Sequence, residues 1–178
     1  MDLVNILGTL AGNDTVNEIS KKFNIDTNKV SSVITSALPT LIGAMQKNAS
    51  TESGAASLAK ALGDHANNSG SMLSNLAGVD LNDGSKILGK ILGGNASSIF
   101  DKIGKQTGTT SGQVNNILSS IAPALMNILG KLKGNNNTSN DALGALLGSV
   151  LGGGASSSNN GGGLGSILGG LGKIFGGK

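Results

Sequence analysis

The segment VSSVITSALPTLIGAMQK, residues Val30–Lys47, recurs in altered form as VNNILSSIAPALMNILGK at Val114–Lys131. In both copies apolar residues recur at steps of three and four, which places them on one stripe of an α-helix. The stripes correspond at a spacing of 84 positions: Val30, Val33, Ile34, Ala37, Leu38, Leu41, Ile42 and Met45, then Val114, Ile117, Leu118, Ile121, Ala122, Leu125, Met126 and Leu129. The pattern predicts one buried core helix in each of two repeats.

A proline interrupts both segments at the same point, since Pro123 also lies 84 positions after Pro39. Inside a helix, proline cannot donate the hydrogen bond to the carbonyl four residues earlier, which belongs to Thr35 in the first copy and to Ser119 in the second. We therefore predict a structural helix kink at Pro39 and at Pro123. Such a bend lets each long helix curve around the core.

A short helix is predicted before each long one. Asp14-Thr15, followed by Glu18, is an N-cap signal for a helix through Phe23, with Val16, Ile19 and Phe23 inward. After the tight connection Asn24–Asp26, either Asp26 or Thr27 caps the long helix. In the second copy Ile99–Lys105 matches Thr15–Lys21, and Ser111 begins the long helix.

Further elements complete each copy. A first helix has Leu3, Val4 and Leu7 on one face, matched at the spacing of 84 by Ile87, Leu88 and Ile91. Composition also predicts helices at Ala55–Leu62, Met72–Leu76 and Asp141–Leu151, with loops or turns at Asn48–Ser53, Asp80–Gly84 and Gln106–Thr110.

These elements predict an all-α protein of two tandem, intertwined three-helix repeats forming a multihelical core. The expected parts are residues 1–83 (first repeat and connecting helices), 84–151 (second repeat and closing helix) and 152–178, a flexible Gly/Ser-rich tail. One copy alone would leave its apolar stripe exposed, so we expect the two repeats to form one compact domain.

Composition and charge restrict the class of protein. Among 178 residues there is no cysteine, which removes disulfides, thiolate metal sites and thiol nucleophiles, and fits a cytoplasmic location. The first residues resemble a signal peptide poorly, and the longest apolar run, Ala142–Val150, is far short of the ~20 residues of a membrane-spanning helix. All 13 basic residues are lysines, scattered rather than clustered, which is typical of a solvated surface.

The order of a short helix, a turn and a long helix at Val16–Ile34 is that of a helix-turn-helix. A DNA-binding protein would place Thr27, Asn28, Lys29, Ser31 and Ser32 near base edges, with Ser111, Gly112, Gln113, Asn115 and Asn116 in the second copy. However, the chain has no arginine for guanine contacts, and residues 1–83 are net acidic. DNA binding is therefore the weaker alternative to a purely structural three-helix unit.

The tail supplies the candidate contact residues for a protein partner or a membrane surface. Its apolar residues share one side of a helix, with a lysine beside them: Leu164, Ile167, Leu168, Leu171, Lys173, Ile174 and Phe175. Such a peptide could dock in a partner's groove or lie on a membrane. Gly144, Gly148 and Gly152 recur every fourth residue and could form a close helix contact, although this spacing is common in a glycine-rich chain.

Catalytic motifs are nearly absent. His65 is the sole histidine, so a two-histidine metal site cannot form, and we expect this residue on an exposed loop or helix end. Asp80 and Asp83 lack the regular spacing and closing glutamate of a calcium loop, and a helix cap at Asp83 is the preferred interpretation. We predict a protein without enzymatic activity, metal or cofactor.

Two segments of the second copy carry a family resemblance. DGSKILGKILGG at Asp83–Gly94, and IFDKIGKQTGTTSGQVNNILSSIAPALMNILGKL through Leu132, resemble the YidB-like bacterial family of unknown function. The first copy matches through Ala37–Pro39, and the resemblance covers most of residues 1–150. It implies a multihelical fold of intertwined three-helix repeats, and it supplies no established activity, cofactor or catalytic residue. The Gly-rich tail departs from the family pattern.

Together these patterns favour a non-enzymatic helical scaffold or protein-interaction module that presents its tail, or a groove between the repeats, to a protein partner. The first alternative is a peripheral membrane-binding protein acting through the tail, and the second is helix-turn-helix-like DNA binding. Self-association as a homo-oligomer is also open. The sequence does not identify the partner.

Overall fold

The structure of the protein, a computed structural model, describes residues 3–66, 78–135, 139 and 142–152. Within these ranges the chain forms eight α-helices: α1 Leu3–Leu10, α2 Asn13–Phe23, α3 Thr27–Asn48, α4 Glu52–Ala66, α5 Leu81–Leu92, α6 Ala96–Thr107, α7 Ser111–Asn135 and α8 Leu143–Leu151. A short 3-10 helix, Gly93–Asn95, joins α5 to α6. The described residues contain no strand, and the predicted all-α class is confirmed.

The long helices α3 and α7 follow the predicted apolar pattern. All stripe residues of both copies are buried, from Val30 to Met45 and from Val114 to Leu129. Asp26 caps α3, since its carboxylate accepts hydrogen bonds from the backbone N–H groups of Asn28 (2.8 Å) and Lys29 (3.3 Å). The periodicity therefore identified the core of both helices correctly.

The predicted start of α2 is wrong. The helix begins at Asn13 rather than after an Asp14-Thr15 cap, and Gly12, which precedes it, makes no side-chain cap hydrogen bond. The Thr15 hydroxyl instead donates to the carbonyl of Thr9, 3.3 Å away. Val16 and Ile19 are buried as predicted, whereas Phe23 is half-buried.

The predicted apolar face of α1 is wrong at Val4, although Leu7 is half-buried against the core. Val4 is 72% exposed, and Ile6 and Leu10 are buried instead. The better match places Ile6-Leu7-Gly8 on Ile87-Leu88-Gly89, at a spacing of 81 rather than 84. The second copy has three additional residues near Gly93–Asn95, between its first two helices. Since three residues turn a helix by about 300°, a fixed spacing of 84 assigned the wrong face to α1.

The two halves of the chain are packed into each other. α1 and α2 contact α7, while α5 and α6 contact α3. Buried residues of all eight helices belong to one continuous apolar cluster. The long helices begin 84 residues apart, at Thr27 and Ser111. This arrangement is compatible with intertwined repeats, and a tandem duplication stays a prediction.

Most connections are shorter than expected. α3 runs to Asn48 and α4 begins at Glu52, so only residues 49–51 of the predicted loop lie outside helices. The predicted turn Asp80–Gly84 is wrong because Asp80 caps α5, which begins at Leu81. Ala55–Leu62 is helical as predicted, and the last helix begins at Leu143 rather than Asp141. The predicted helix Met72–Leu76 and the tail after Gly152 lie outside the described residues.

Both prolines lie inside continuous helices, Pro39 in α3 and Pro123 in α7. Because Pro123 has no N–H, the carbonyl of Ser119 lacks its usual helical donor. Gly84 of α5 packs against this carbonyl so closely that a Cβ on Gly84 would lie 1.9 Å from the oxygen. The Oγ atoms of Ser85 and Ser119 are hydrogen-bonded at 3.1 Å. α5 therefore approaches α7 closely at the carbonyl of Ser119. The helix kinks predicted at Pro39 and Pro123 stay predictions.

The last helix, α8, covers the outer side of α3. Its Leu143, Leu147 and Val150 are fully buried, and α8 contacts α3 and α4. Gly144 faces Ala49, the residue after α3, which fits a close approach between the two helices.

Candidate functional site

The structure describes only some of the candidate regions. Every predicted tail contact residue, Leu164, Ile167, Leu168, Leu171, Lys173, Ile174 and Phe175, lies outside the described residues. In the helix-turn-helix-like segment, Asn28, Lys29 and Ser32 are exposed, whereas Thr27 and Ser31 are half-buried. In the second copy, Ser111, Gln113, Asn115 and Asn116 are half-buried and Gly112 is exposed. These regions stay candidates from sequence alone.

His65 lies near the end of α4, but not on an exposed loop. Its side chain is only 17% exposed. Nδ1 lies 2.8 Å from the carbonyl oxygen of Ala61, so it donates a hydrogen bond there. Nε2 lies 3.3 Å from a carboxylate oxygen of Asp83. The sequence missed this pair because its members belong to different helices.

The interpretation of Asp83 as the helix cap is wrong. The cap is Asp80, whose carboxylate accepts a hydrogen bond from the backbone N–H of Asn82 at 2.8 Å. Asp83 lies in the first turn of α5, half-buried, where it can face α4. Asp80 precedes the helix and can reach its first N–H groups, whereas Asp83 is already inside the first turn and its side chain contacts His65 instead.

An open groove of about 580 Å³ lies between α4 and α5, and we call it the α4–α5 groove. α7 contributes Met126 to its lining, and the end of α3 contributes Asn48. Its apolar lining consists of Leu58, Ala61, Ile87, Ile91 and Met126. Its polar and charged lining consists of Asn48, Ser57, Lys60, Asp64, His65, Asp83, Lys86 and Lys90. Apolar side chains with a few polar groups are typical of a binding site.

The charges of the groove are unequally paired. Lys60 forms an ion pair with Asp64 at 3.2 Å, and His65 faces Asp83. Lys86 and Lys90 are exposed, and no carboxylate of the described residues lies within ion-pair distance of either. They stand one turn apart on the α5 wall, so their positive charges are available to a ligand.

Two asparagine side chains hold the ends of the groove walls. The amide of Asn48 donates to the carbonyls of Lys90 (3.2 Å) and Ile91 (3.0 Å), at the end of α5. The amide of Asn127 donates to the carbonyls of His65 (2.7 Å) and Ala66 (3.3 Å), at the end of α4. These bonds satisfy carbonyls that have no partner within their own helices. Both walls are therefore fixed to the long helices beneath them.

Sequence reasoning identified only His65 and Asp83 among the groove residues. One further signal was present: Lys-Ile occurs at 86–87 and again at 90–91, which puts two lysines and two isoleucines on neighbouring faces of one helix. The opposite wall could not be assigned from sequence, because the pairing of α4 with α5 depends on their common packing against α7.

Two kinds of feature are absent from the described residues, a cluster of metal-ligating side chains and a membrane-spanning helix. No group of three or more His, Asp or Glu side chains in these ranges could hold a metal ion. No helix within them is both long and apolar enough to cross a bilayer. The groove offers a narrow apolar floor, a Lys60–Asp64 ion pair, a histidine–aspartate pair, and two lysines that form no ion pair with any described carboxylate.

The described residues form an all-α helical domain with an open groove on its surface. The chain belongs to a family described as bacterial proteins of unknown function, DUF937, whose sequence model matches residues 5–132. The match begins within α1 and ends within α7, so α8 lies outside it. No curated protein and no solved structure matches the chain significantly.

Proposed function

We propose that the protein is a non-enzymatic helical interaction module that binds a protein partner in the α4–α5 groove. The observation that carries this proposal is the groove itself, with its apolar lining and with Lys86 and Lys90 exposed on one wall. Leu58, Ile87 and Ile91 reach the groove floor with only 5–7% of their surface exposed, and charged side chains surround this small apolar floor, an arrangement found in protein-docking sites. The bonds of Asn48 and Asn127 support it further, because a rigid groove loses little conformational entropy on binding.

The geometry around His65 supports a non-enzymatic role. Ser57 also lines the groove, but it stands eight residues before His65 on α4. At 1.5 Å per residue this is about 12 Å along the helix, whereas a serine nucleophile needs its base within about 3 Å. His65 and Asp83 are better explained as a contact that joins α4 to α5.

The proposal includes a cytoplasmic location, on the ground that the chain contains no cysteine. Membrane binding through residues 164–178 and DNA binding through α2 and α3 are its competitors. Each makes a different physical prediction, namely association with vesicles and salt-sensitive binding to a duplex.

Site-specific photocrosslinking in living cells tests the proposal. A photoreactive amino acid is placed at Ser57 and, separately, at Lys90, which line the groove from opposite walls. Ala56 and Lys102 are the matched controls, because both are exposed and neither lines the groove. We expect defined protein adducts from the two groove positions and none from the controls. Equal adducts from all four positions, or none from the groove, would contradict the proposal.

A groove-filling substitution provides an independent check. Ser57→Trp places an indole in the groove, and we expect it to abolish the adduct formed from Lys90. Ala56→Trp, on another face of α4, should leave that adduct intact. Vesicle sedimentation of the full chain, compared with a chain ending at Gly152, tests the membrane alternative. The cut falls after Gly152 because α8 is part of the core.

A further inference from the structure

The size and direction of the α4–α5 groove limit its occupant. The start of α5 lies beside the end of α4, as the Asp83–His65 contact shows. The groove lining extends from Gly54 to His65 on one wall and from Asp83 to Ile91 on the other. At 1.5 Å per residue these stretches are about 16 and 12 Å long. This length matches two to three turns of a bound helix, whose apolar side chains recur every three or four residues.

The charges that line the groove determine which net charge a bound ligand should carry. Lys60 is paired with Asp64, and Asp83 contacts His65 without being neutralised by it. Three lysines, Lys60, Lys86 and Lys90, therefore face two carboxylates in the lining, and Lys86 and Lys90 are exposed on the α5 wall. Two like charges one turn apart repel each other, and an anionic ligand between them relieves that repulsion. The apolar lining beside them requires apolar side chains on the same ligand.

We infer that the occupant is an acidic amphipathic helix of a partner protein. Its apolar stripe lies on the narrow floor where Leu58, Ile87 and Ile91 are 5–7% exposed, and its carboxylates meet Lys86 and Lys90. This inference rests on the proposed function and gives the partner a chemical class. The protein's own segment 164–178 is a poorer match, because its charged side chains are Lys173 and Lys178, which have the same sign as the α5 wall.

Peptide binding to the full-length protein tests the inference. The probes are fluorescein-labelled synthetic peptides of two to three turns: one with a leucine stripe flanked by glutamates, its isomer with every glutamate replaced by lysine, and one with the sequence of residues 164–178. We expect the acidic peptide alone to bind, with a Kd that rises with salt concentration. Fluorescence anisotropy measures each Kd.

Matched charge reversals locate the binding. Lys86→Glu/Lys90→Glu should weaken binding of the acidic peptide about tenfold or more and should permit the lysine peptide to bind. Lys102→Glu/Lys105→Glu changes the net charge equally at exposed positions of α6, outside the groove, and should change Kd less than about twofold. Because all four lysines are exposed, both variants are expected to melt at the wild-type temperature.

Three outcomes would overturn the inference: no binding of the acidic peptide, equal weakening by both double variants, or binding of only the lysine or the 164–178 peptide. Photocrosslinking distinguishes the failure of this inference from that of the proposed function. If adducts persist at Ser57 and Lys90 while the acidic peptide fails, the groove binds a protein of other chemistry. If both measurements fail, the groove is not a docking site.

Discussion

The long helices α3 and α7 bury equivalent apolar residues, but α7 is enclosed on more of its circumference. Ser119, Ser120 and Ala124 of α7 are buried, whereas the residues 84 positions earlier, Thr35, Ser36 and Thr40, are exposed. Two glycines explain the difference. A Cβ on Gly84 would lie 1.9 Å from the carbonyl of Ser119, and one on Gly130 would lie 2.4 Å from the carbonyl of Leu62. Small residues at these crossings let α5 and α4 close around α7, so matching apolar stripes do not produce matching surroundings.

Gly84→Ala should have the largest effect, because α5 must move away from α7 to accommodate the added methyl group. We expect the free energy of unfolding to fall by about 3 kcal/mol, as measured by urea denaturation with far-UV circular dichroism. Gly89→Ala in the same helix is the control, since no atom lies within 4 Å of its added Cβ and alanine favours the helix. Equal stability of the two variants would show that α5 does not approach α7 closely.

Ser120→Leu and Ser36→Leu compare the two helices directly. Ser120 is 0% exposed and donates a hydrogen bond to the carbonyl of Asn116 at 2.9 Å. Leucine there overfills the core and should lower the free energy of unfolding by about 2 kcal/mol. Ser36 is exposed, and its substitution should change stability by less than about 0.5 kcal/mol. The same denaturation measurement applies. If both substitutions lowered the free energy of unfolding equally, the claim that α7 is more enclosed than α3 would be wrong.

Asn48→Ala tests the side-chain hydrogen bonds by which the end of α3 holds the end of α5. At the equivalent position α7 has no side chain that can donate such bonds. Asn48 donates to the carbonyls of Lys90 and Ile91, while the equivalent residue of α7, Leu132, has no side-chain amide. Loss of both bonds should lower the free energy of unfolding by about 1.5 kcal/mol. Hydrogen exchange at the last turn of α5 should also become faster. Lys47→Ala is the control, because Lys47 is exposed. An unchanged exchange rate would contradict the role of Asn48.

The smallest effects are expected at the starts of the long helices. Asp26 caps α3 alone, whereas α7 begins with a reciprocal pair: Thr110 accepts from the backbone N–H of Gln113 at 3.2 Å, and the Gln113 side chain accepts from that of Thr110 at 3.0 Å. Asp26→Ala should cost about 1 kcal/mol and Gln113→Ala about 0.5 kcal/mol. Thermal melting measures both. The reverse order would mean that the reciprocal pair is the stronger cap.

Local patterns were sufficient to predict the long helices. Every stripe residue from Val30 to Met45, and from Val114 to Leu129, is buried. The helical period and the hydrophobic effect act within one segment, and no knowledge of neighbouring helices is needed to apply them. The N-cap at Asp26 could be predicted for the same reason, because the cap and its N–H donors are adjacent in sequence.

The caps of α2 and α5 were misassigned by local patterns, and the other errors arise where a residue's role depends on another segment. Val4 was assigned to the core because a fixed spacing ignored the three extra residues near Gly93–Asn95, although the match of Ile6-Leu7-Gly8 to Ile87-Leu88-Gly89 was present in the sequence. The groove could not be predicted, since it depends on α4 and α5 both packing on α7. No local pattern indicates that His65 and Asp83 come within 3.3 Å of each other.

The position of α8 has a consequence for folding during synthesis. α8 begins at Leu143 and covers α3, which ends at Asn48, so about 90 residues must be made between the two. Translation adds about 5–20 residues per second, so α8 is synthesised roughly 5–20 s after the end of α3. During that interval the nascent chain exposes apolar surface on α3 that the finished protein buries. The N-terminal half is therefore a candidate client of ribosome-associated chaperones.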